Sequence, residues 1–373
     1  MPEWICEMWI SDYGFDVTEE MLKFFLEPRP TTVRLNIDKI RDRYARAHKT
    51  LPDERKTSED LDINTNKANG RIKSENDEKR NGVDENHGNK QTESVEIDSY
   101  IRDLESAGVI VHKNKILPYA LDLEKTDNIR YLPGFDDGLF FVQDVSSMLV
   151  TEIAAPHHGQ VVVDVCAAPG GKSLHAAERG AEVLSRDVSE YKCDLIRENA
   201  ERLGLENIEA EVHDALIHDR NLENKADILY LDLPCSGLGI IGRKTDIKYN
   251  ASQKGLNDLT ALQWDIIKSS WDYVKKGGIL MYSTCTVDRA ENEEMVRKIC
   301  TELPFEPVDF SSALPTALAD HSFAKSANNG APEDDSKINA YEILKSTAEK
   351  GYIQLLPGQF GTDGFFIAGL RRV

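Results

Sequence analysis

The chain has 373 residues, 40% of them hydrophobic, and its 65 acidic residues against 45 basic ones give a formal net charge of −20. This length is enough for two or three domains with at least one large core. The acidic balance excludes a protein that binds nucleic acid over its whole surface, although a local basic groove would still suit a nucleic-acid substrate.

The first 49 residues show a pattern of helix, turn and strand. The run EMLKFFLEPRPTTVRLNI predicts a short helix and a turn at its prolines. A strand follows, because Val33 and Leu35 alternate with polar residues.

The stretch from Leu51 to Lys90 has a different composition. It holds ten acidic and eight basic residues, no Phe, Trp or Tyr, and only five residues from the Val, Ile, Leu, Met and Phe set. Such a segment cannot bury enough apolar surface to offset the entropy lost on ordering. We therefore predict a disordered insertion at about 50–94, with a charged surface helix as the alternative.

The next segments predict two folding units. SYIRDLESAGVIVHKNKILPYAL indicates a helix, a glycine turn and a strand, which together with the first 49 residues would make a small α+β domain over 1–135. GLFFVQDVSSMLVTEIAA, at 138–155, indicates a strand that passes into an amphipathic helix. We predict a separate α/β domain over 136–373.

From Gln160 onward, almost wholly apolar strands alternate with helices, and this pattern is typical of a parallel sheet covered on both faces. The predicted strands are 161–167, 181–187, 208–213, 226–233 and 278–284, with a last strand at GFFIAGLRR, and the predicted helices are 172–179, 190–203 and 258–275.

The segment VVVDVCAAPGGKSLHAAERG predicts a buried strand, a loop of small residues and a helix. Open parallel sheets bind ligands beyond the carboxyl ends of their strands, where such a loop brings its backbone close to the ligand. The loop matches neither G-x-G-x-x-G nor the phosphate-binding P-loop spacing. S-adenosylmethionine, a nucleoside cofactor without a phosphate tail, is therefore the predicted cofactor, and a plain tight turn is the alternative. The predicted cofactor residues in the loop are Cys166, Ala167, Ala168, Pro169, Gly170 and Gly171.

Two acids follow the next strands. Asp187 ends the second strand, near the place where Rossmann-like folds hold a ribose-binding acid. Asp214 ends the third strand, where it either faces the adenine or is a solvated loop residue.

Two cysteines lie at the ends of apolar runs, Cys235 in LDLPCSG and Cys285 in YSTCT. Each alone is more often a packing residue, but two of them beside a cofactor loop indicate chemistry. The six cysteines form no CxxC pair, which excludes a zinc ribbon and a disulfide framework. We expect reduced thiols, no metal, no membrane span and a cytoplasmic protein.

Four motifs in sequence order carry a family resemblance: DVCAAPGGKS, DLPCSGLGIIGRKTDIKY, GGILMYSTCTVDRAENEEMV and GTDGFFIAGL. They resemble the RNA cytosine-5 methyltransferases of the NOL1/NOP2/Sun type, especially the bacterial RsmB group that acts on small-subunit rRNA. The resemblance covers 1–48 and about 95–373. It implies a class I, Rossmann-like methyltransferase sheet that uses S-adenosylmethionine, together with a small RRM-like N-terminal domain.

The resemblance also implies roles for single residues. Cys285 matches the nucleophile that adds to carbon 6 of cytosine, and Cys235 matches the thiol that helps to release the methylated base. Asp232 is expected beside the cofactor and hydrogen-bonded to the cytosine ring. Lys172 matches the motif lysine, near the cofactor or this acid. The carbonyl of Pro234 is expected to accept a hydrogen bond from the exocyclic amine.

RNA is the predicted partner, bound through a local groove by a monomeric protein. Arg243, Lys244 and Lys248 are the predicted phosphate contacts. Arg34 and Asn36, on the first strand, either contact RNA or face solvent. The target cytosine has to be unpaired or flipped out of its stack.

Three functions remain open at this stage. The first is methylation of small-subunit rRNA, and the second is methylation of tRNA by a member of the same family. The third is a non-catalytic factor for ribosome assembly. RsmB-type enzymes carry an N-terminal NusB-like helical domain, and this sequence begins after it, so we expect either a member without that domain or a truncated sequence.

Overall fold

The computed structural model describes residues 1–49, 85–319 and 340–373, whose strands form two sheets. The predicted insertion at about 50–94 lies mostly outside these residues, so its disorder stays a prediction. A helix begins at Glu85, inside the predicted range. Among the described residues, no helix combines the length and the apolar character needed to cross a membrane.

The helices of the described residues are α1 (Glu3–Tyr13), α2 (Phe15–Phe24), α3 (Ile37–Lys49), α4 (Glu85–Ser106), α5 (Val145–Ala154), α6 (Gly171–Glu178), α7 (Glu190–Leu203), α8 (Ile247–Asn250), α9 (Gln253–Ser270), α10 (Glu293–Glu302) and α11 (Ala340–Ala348). The strands are β1 (Thr31–Leu35), β2 (Ile110–Lys113), β3 (Ala120–Glu124), β4 (Phe140–Val142), β5 (Val161–Asp164), β6 (Glu182–Asp187), β7 (Ile208–Val212), β8 (Ala226–Asp232), β9 (Val274–Thr284), β10 (Phe305–Pro307), β11 (Tyr352–Leu355) and β12 (Phe365–Arg372).

The smaller sheet has the order β2-β3-β1-β4, with antiparallel pairs throughout. On one face of β1, Val33 and Leu35 join an apolar cluster with Tyr100 and Leu104 of α4. On the other face, Arg34 is only 1% exposed. Strand β4 pairs with β1 although it lies beyond residue 135, so this sheet takes a strand from the segment predicted to be the second domain. The RRM-like description and the domain boundary stay predictions.

The larger sheet has the order β10-β12-β9-β8-β5-β6-β7, with β11 paired to β12. Strands β5 to β9 are mutually parallel, and β12 runs antiparallel to β9. Two large apolar clusters cover its two faces, which confirms the predicted Rossmann-like sheet. The carboxyl ends of β5 and β8 adjoin where the strand order reverses, the place where such sheets bind ligands.

The predicted elements of this sheet lie within a few residues of the observed ones, with one larger error. The helix predicted at 258–275 runs from Gln253 to Ser270 as α9. Ser252 caps its start by accepting a hydrogen bond from the amide of Gly255 at 3.1 Å. Its end comes earlier than predicted because β9 already begins at Val274.

Candidate active site

The loop after β5 is held by the end of β6. The amide of Ala167 donates to the carbonyl of Arg186 at 2.8 Å, and the amide of Ala168 donates to the carboxylate of Asp187 at 3.0 Å. Gly170 then precedes α6 at φ +102°, a conformation that glycine adopts without strain. The sequence therefore places small residues where the backbone has to turn sharply from strand into helix.

Asp187, at the end of β6, also holds the loop after β5 through its carboxylate. It is 5% exposed, and besides Ala168 its carboxylate accepts from the amide of Val188 at 2.7 Å and pairs with Lys192 at 3.0 Å. It thus braces the cofactor loop. Its predicted contact with a ribose stays a prediction, and a ligand there would meet a carboxylate already bonded on both oxygens.

A cavity of about 190 Å³ opens beside this loop, and Pro169 lies on its wall. Other lining residues are Asp164, Ala167, Ala168, Gly171, Lys172 and Asp232.

Asp164 is the most buried acid of the cavity, at 1% exposure. Its Oδ2 accepts from the hydroxyl of Ser173 at 2.7 Å, and its buried Oδ1 has no hydrogen-bond partner among the described residues. Burial raises its pKa to about 7. An unpaired carboxyl oxygen beside a cradle of small residues fits the cationic amino or sulfonium group of S-adenosylmethionine.

Cys166 lies half-buried at the start of the same loop. Burial raises the pKa of its thiol, and the carboxylates of Asp164 and Asp187 raise it further. A thiol held in this form is a poor nucleophile, which agrees with its prediction as a loop residue.

Lys172 and Asp232 form an ion pair on the cavity wall. The ammonium of Lys172, 7% exposed, lies 2.7 Å from Oδ2 of Asp232 and 3.0 Å from the hydroxyl of Ser147. Oδ1 of Asp232 accepts from the hydroxyl of Ser283 at 2.8 Å. Because Asp232 and Ser283 pair across β8 and β9, the sheet register itself sets this contact.

Beyond the ends of these same two strands, the two predicted thiols meet. The Sγ atoms of Cys235 and Cys285 lie 3.3 Å apart. The pKa of Cys235 is raised well above its ordinary value by its hydrogen bond with Cys285 and by burial. The two thiols are therefore close enough to share a hydrogen bond, in which either sulfur can donate.

The turn that carries Cys235 is supported by two residues that sequence reasoning missed, Gln263 and Glu291. Glu291 accepts from the amide of Ser236 at 3.0 Å and from Nε2 of Gln263 at 2.8 Å. Gln263 also donates to the carbonyl of Pro234 at 2.9 Å. The predicted contact of this carbonyl with the exocyclic amine stays a prediction: Gln263 uses one of its two lone pairs, and the second can accept from another donor.

Nothing in DRAENEEMV distinguishes the buried Glu291 from Glu293, which is half-buried, or from Glu294, which is exposed. Glu291 is fully buried, and burial raises its pKa to about 7. Gln263 lies on the apolar face of α9, seven residues after Leu256 and four before Ile267, so the helical period does signal its burial although its polar side chain suggests solvent.

The segment after Cys235 packs tightly on the motif GTDGFFIAGL near the C-terminus. The amide of Gly239 donates to the carbonyl of Cys285 at 3.1 Å, and the amide of Gly364 donates to the carbonyl of Gly239 at 2.9 Å. A Cβ on Gly239 would lie 2.2 Å from the carbonyl oxygen of Gly364, so only glycine fits there. The close contact of Gly239 with Gly364, together with the hydrogen bond from Gly239, fixes the position of the Cys285 backbone.

The three predicted RNA contacts are placed differently from one another. Arg243 pairs with Asp144 at 2.9 Å, pairs with Asp363, and donates to the carbonyl of Pro30 at 3.0 Å. Its guanidinium joins three segments, so a phosphate would have to compete with two carboxylates. Lys244 is exposed and Lys248 is half-exposed, as a phosphate contact requires.

Three further residues considered in the sequence analysis do not line this cavity. Asp214 is half-buried, and its side chain accepts from the amide of Leu216 at 3.0 Å, which shapes its own turn. Arg34, considered for RNA, is buried against the cofactor loop rather than exposed on a strand edge. Asn36 caps α3 by accepting from the amide of Lys39 at 3.2 Å.

The fold and this site define a class of protein, the Rossmann-like methyltransferases that use S-adenosylmethionine. A family model described as 16S rRNA methyltransferase RsmB/F matches residues 151–371. The chain belongs to this family.

Among similar proteins, the "Probable ribosomal RNA small subunit methyltransferase B" of Bacillus subtilis is 32% identical over 100% of this chain and 66% of its own length. The ribosomal RNA small subunit methyltransferase B of Cronobacter sakazakii is 34% identical over 59% of this chain and 52% of its own length. The chain thus spans between about half and 66% of the lengths of these relatives.

Two solved structures support the fold. A methyltransferase homologue from Pyrococcus horikoshii matches with a TM-score of 0.63 and 22% identity, over 100% of this chain and 96% of that one. NSun6 from the same organism, solved with SFG, matches with a TM-score of 0.66 and 19% identity, over 100% and 98%.

Proposed function

We propose that this protein transfers the methyl group of S-adenosylmethionine to carbon 5 of a cytosine in RNA, through a covalent bond between Cys285 and carbon 6 of the base. One observation carries the proposal: two thiols 3.3 Å apart lie at the ends of adjacent strands, beside the ion pair of Lys172 and Asp232. Carbon 5 of cytosine is a poor nucleophile until a group adds to carbon 6, and a thiolate suits that addition.

The family resemblance decides which thiol we assign to the attack. Cys285 of the STC motif matches the nucleophile that adds to carbon 6, and Cys235, whose sulfur lies 3.3 Å away, matches the thiol that helps release. The contact with Cys285 and burial raise the pKa of Cys235, in keeping with a residue that holds a proton for that later step. The new S–C6 bond pushes an electron pair toward the N3 edge of the ring and makes carbon 5 enamine-like.

The ion pair serves the other side of the base. We assign the Lys172 ammonium, which Asp232 holds in place, to the N3 edge of the base. A fixed cation there stabilises the negative charge that develops at N3. The bound cofactor supplies the methyl group to carbon 5. Water then takes the carbon 5 proton, the C5–H electron pair re-forms the double bond between carbons 5 and 6, and the S–C6 electron pair leaves with the sulfur of Cys285. Cys235 is close enough to give a proton to the departing Cys285 thiolate and to recover one from solvent.

The expected substrate is small-subunit rRNA, since the similar curated proteins carry that name. Lys244, which is exposed, and Lys248, which is half-exposed, offer cations for the RNA backbone in the segment that follows Cys235. A tRNA substrate is the second candidate. A non-catalytic role in ribosome assembly is the third, and the intact thiol pair argues against it.

Covalent trapping tests the proposal. The wild type, Cys235→Ala, Cys285→Ala and the control Cys300→Ala, whose half-buried thiol lies on α10, are incubated with S-adenosylmethionine and small-subunit rRNA or tRNA. Denaturing gels then report slower, RNase-sensitive protein. Cys235→Ala should accumulate the adduct, Cys285→Ala should form none, and Cys300→Ala should match the wild type.

Each other outcome is informative. An adduct in Cys285→Ala instead would reverse the two roles. No adduct in any variant, together with no methyl transfer by the wild type to either RNA, would overturn the proposed activity. Sequencing of the trapped RNA identifies the substrate.

A further inference from the structure

A chain of hydrogen bonds leads from the smaller sheet into the candidate active site. It begins at Arg34 on β1, which is 1% exposed. The Nε atom of Arg34 donates to Glu178 on α6 at 2.8 Å, and its Nη1 atom donates to the carbonyl of Gly171 at 3.1 Å. The same Nη1 atom contacts Oε1 of Gln143, the residue that follows β4.

The chain continues from Gln143 to the ion pair. Nε2 of Gln143, a residue 5% exposed, lies 3.3 Å from the hydroxyl oxygen of Ser147. That oxygen also accepts from Lys172 at 3.0 Å, and Lys172 lies 2.7 Å from Asp232. Each link is within hydrogen-bond range, and the path joins both sheets of the molecule.

The direction of these bonds follows from their donors. A guanidinium has donors and no acceptor, so Arg34 fixes the oxygen of Gln143 toward itself. The amide nitrogen of Gln143 must then face Ser147 as a donor. Ser147 accepts from Gln143 and from Lys172, and so its own hydroxyl proton is left to point into the cavity.

We propose that Arg34 is a positioning residue that orients the Lys172–Asp232 pair through Gln143 and Ser147. The inference rests on the proposed function, because it assigns that pair to the cytosine side of the reaction. The alternative is purely structural: the buried contact of Arg34 with Glu178 would only join the two sheets.

The variants separate these two roles. Arg34→Lys keeps a positive charge for Glu178 but lacks the planar fork that reaches Gln143 at the same time. Ser147→Ala removes the shared acceptor, Ser147→Thr retains it, and Gln143→Glu reverses the bond so that Ser147 has to donate. The control is Arg179→Gln, which changes another ion-paired arginine near α6 whose partner is Glu152, outside the chain of bonds.

The first measurement compares kcat, the KM for S-adenosylmethionine and the melting temperature. Arg34→Lys, Gln143→Glu and Ser147→Ala should each lower kcat about tenfold, since small errors in the position of reacting groups are costly, and should leave the KM within about twofold. Their melting temperatures should match that of Arg179→Gln, and Ser147→Thr should restore kcat. A rise in KM with kcat unchanged, or a loss of kcat only where the melting temperature also falls, would overturn the proposal.

The second measurement needs neither RNA nor cofactor. Acetic anhydride labels lysine amines, and mass spectrometry follows the rate at Lys172 in the free protein. Ser147→Ala and Gln143→Glu should label Lys172 faster than the wild type and Arg179→Gln, because the ammonium is less firmly held. Equal rates would overturn the positioning role. Because this readout involves no catalysis, it stands even where the proposed methyl transfer fails.

Discussion

The thiol side and the charged side of the site both use the carboxyl ends of β8 and β9, and the charged side adds Lys172 from α6, yet the two are built differently. Cys235 meets Cys285 from a turn that the buried side chains of Gln263 and Glu291 support. Lys172 and Asp232 instead form an ion pair on the wall of an open cavity, where Asp232 is 34% exposed. Hydrogen bonds between buried groups hold the thiol side in place, whereas the attraction between two opposite charges holds the charged side.

The largest expected effect tests whether the two thiols are interchangeable. Cys285→Ser places a much weaker nucleophile at the attacking position, so methyl transfer should fall by about 10³-fold or more. Cys235→Ser should retain the first step and slow release. Incorporation of labelled methyl groups and trapping of the adduct measure the two steps. Equal losses in both variants would mean that the thiols share one role.

A second substitution tests the charged side. Lys172→Met removes the cation but leaves Asp232 partly solvated and bonded to Ser283, so the protein should fold. We expect the rate of methyl transfer to drop about 10²-fold, as for loss of one preorganised electrostatic group. The matched control is Lys275→Met, which removes the partner of Asp227 on the opposite end of the sheet. Similar rates for the two variants would contradict a catalytic role for the ion pair.

A third prediction concerns the pH dependence of stability on the thiol side. Burial raises the pKa of Glu291 from 4.5 to about 7, so the folded state binds this proton more tightly than the unfolded chain. Between these pH values the folded state holds more protons, and the free energy of unfolding therefore falls as pH rises. The full effect is about 3 kcal/mol.

Urea unfolding at pH 5 and pH 8 measures this slope. Glu291→Gln keeps the acceptor for Ser236 and should reduce the loss of stability, with a remainder due to Asp164, whose pKa burial also raises to about 7. Glu302→Gln, at an exposed position on α10, serves as the control. An unchanged slope in Glu291→Gln would show that this carboxyl group does not carry the effect.

The smallest expected effect concerns two surface lysines, Lys244 and Lys248, in the segment that follows Cys235. Replacing Lys244 and Lys248 together by Gln should weaken RNA binding a few-fold and lower the slope of log affinity against log salt by about 1.4, the value for two contacts with single-stranded RNA. Lys276→Gln, at the other end of β9, should leave the slope unchanged. Filter binding at several salt concentrations distinguishes these results, and identical slopes would remove the two lysines from the RNA surface.

The sequence predicted the larger sheet well because its strands are nearly continuous apolar runs and its loops carry glycine and proline. It also placed Cys235 and Cys285 at strand ends, where parallel neighbours bring them together. The neighbourhood of Lys172 and Asp232 came only from the family resemblance, which left the cofactor as the other choice, because the two residues are 60 positions apart and the strand order makes them neighbours.

The errors concern polar residues covered by another part of the chain. Arg34 alternates with Val33 and Leu35, which suggests a solvent-facing side chain, yet the larger sheet and its helices cover that face. The predicted phosphate contact of Arg243 stays a prediction, but the sequence also did not indicate its carboxylate partners, because Asp144 and Asp363 lie 99 and 120 positions away. Periodicity describes one element at a time, and it contains no information about what packs on the polar side.

The pairing of β4 with β1 limits how the protein can be divided. A gene fragment that starts after residue 135 would encode every strand of the larger sheet, but it would leave β4 without its partner and expose Gln143 at the rim of the cavity. Exchange of the N-terminal segment between relatives would have to preserve Arg34 together with this strand. A cut at residue 135 therefore divides a sheet rather than a linker.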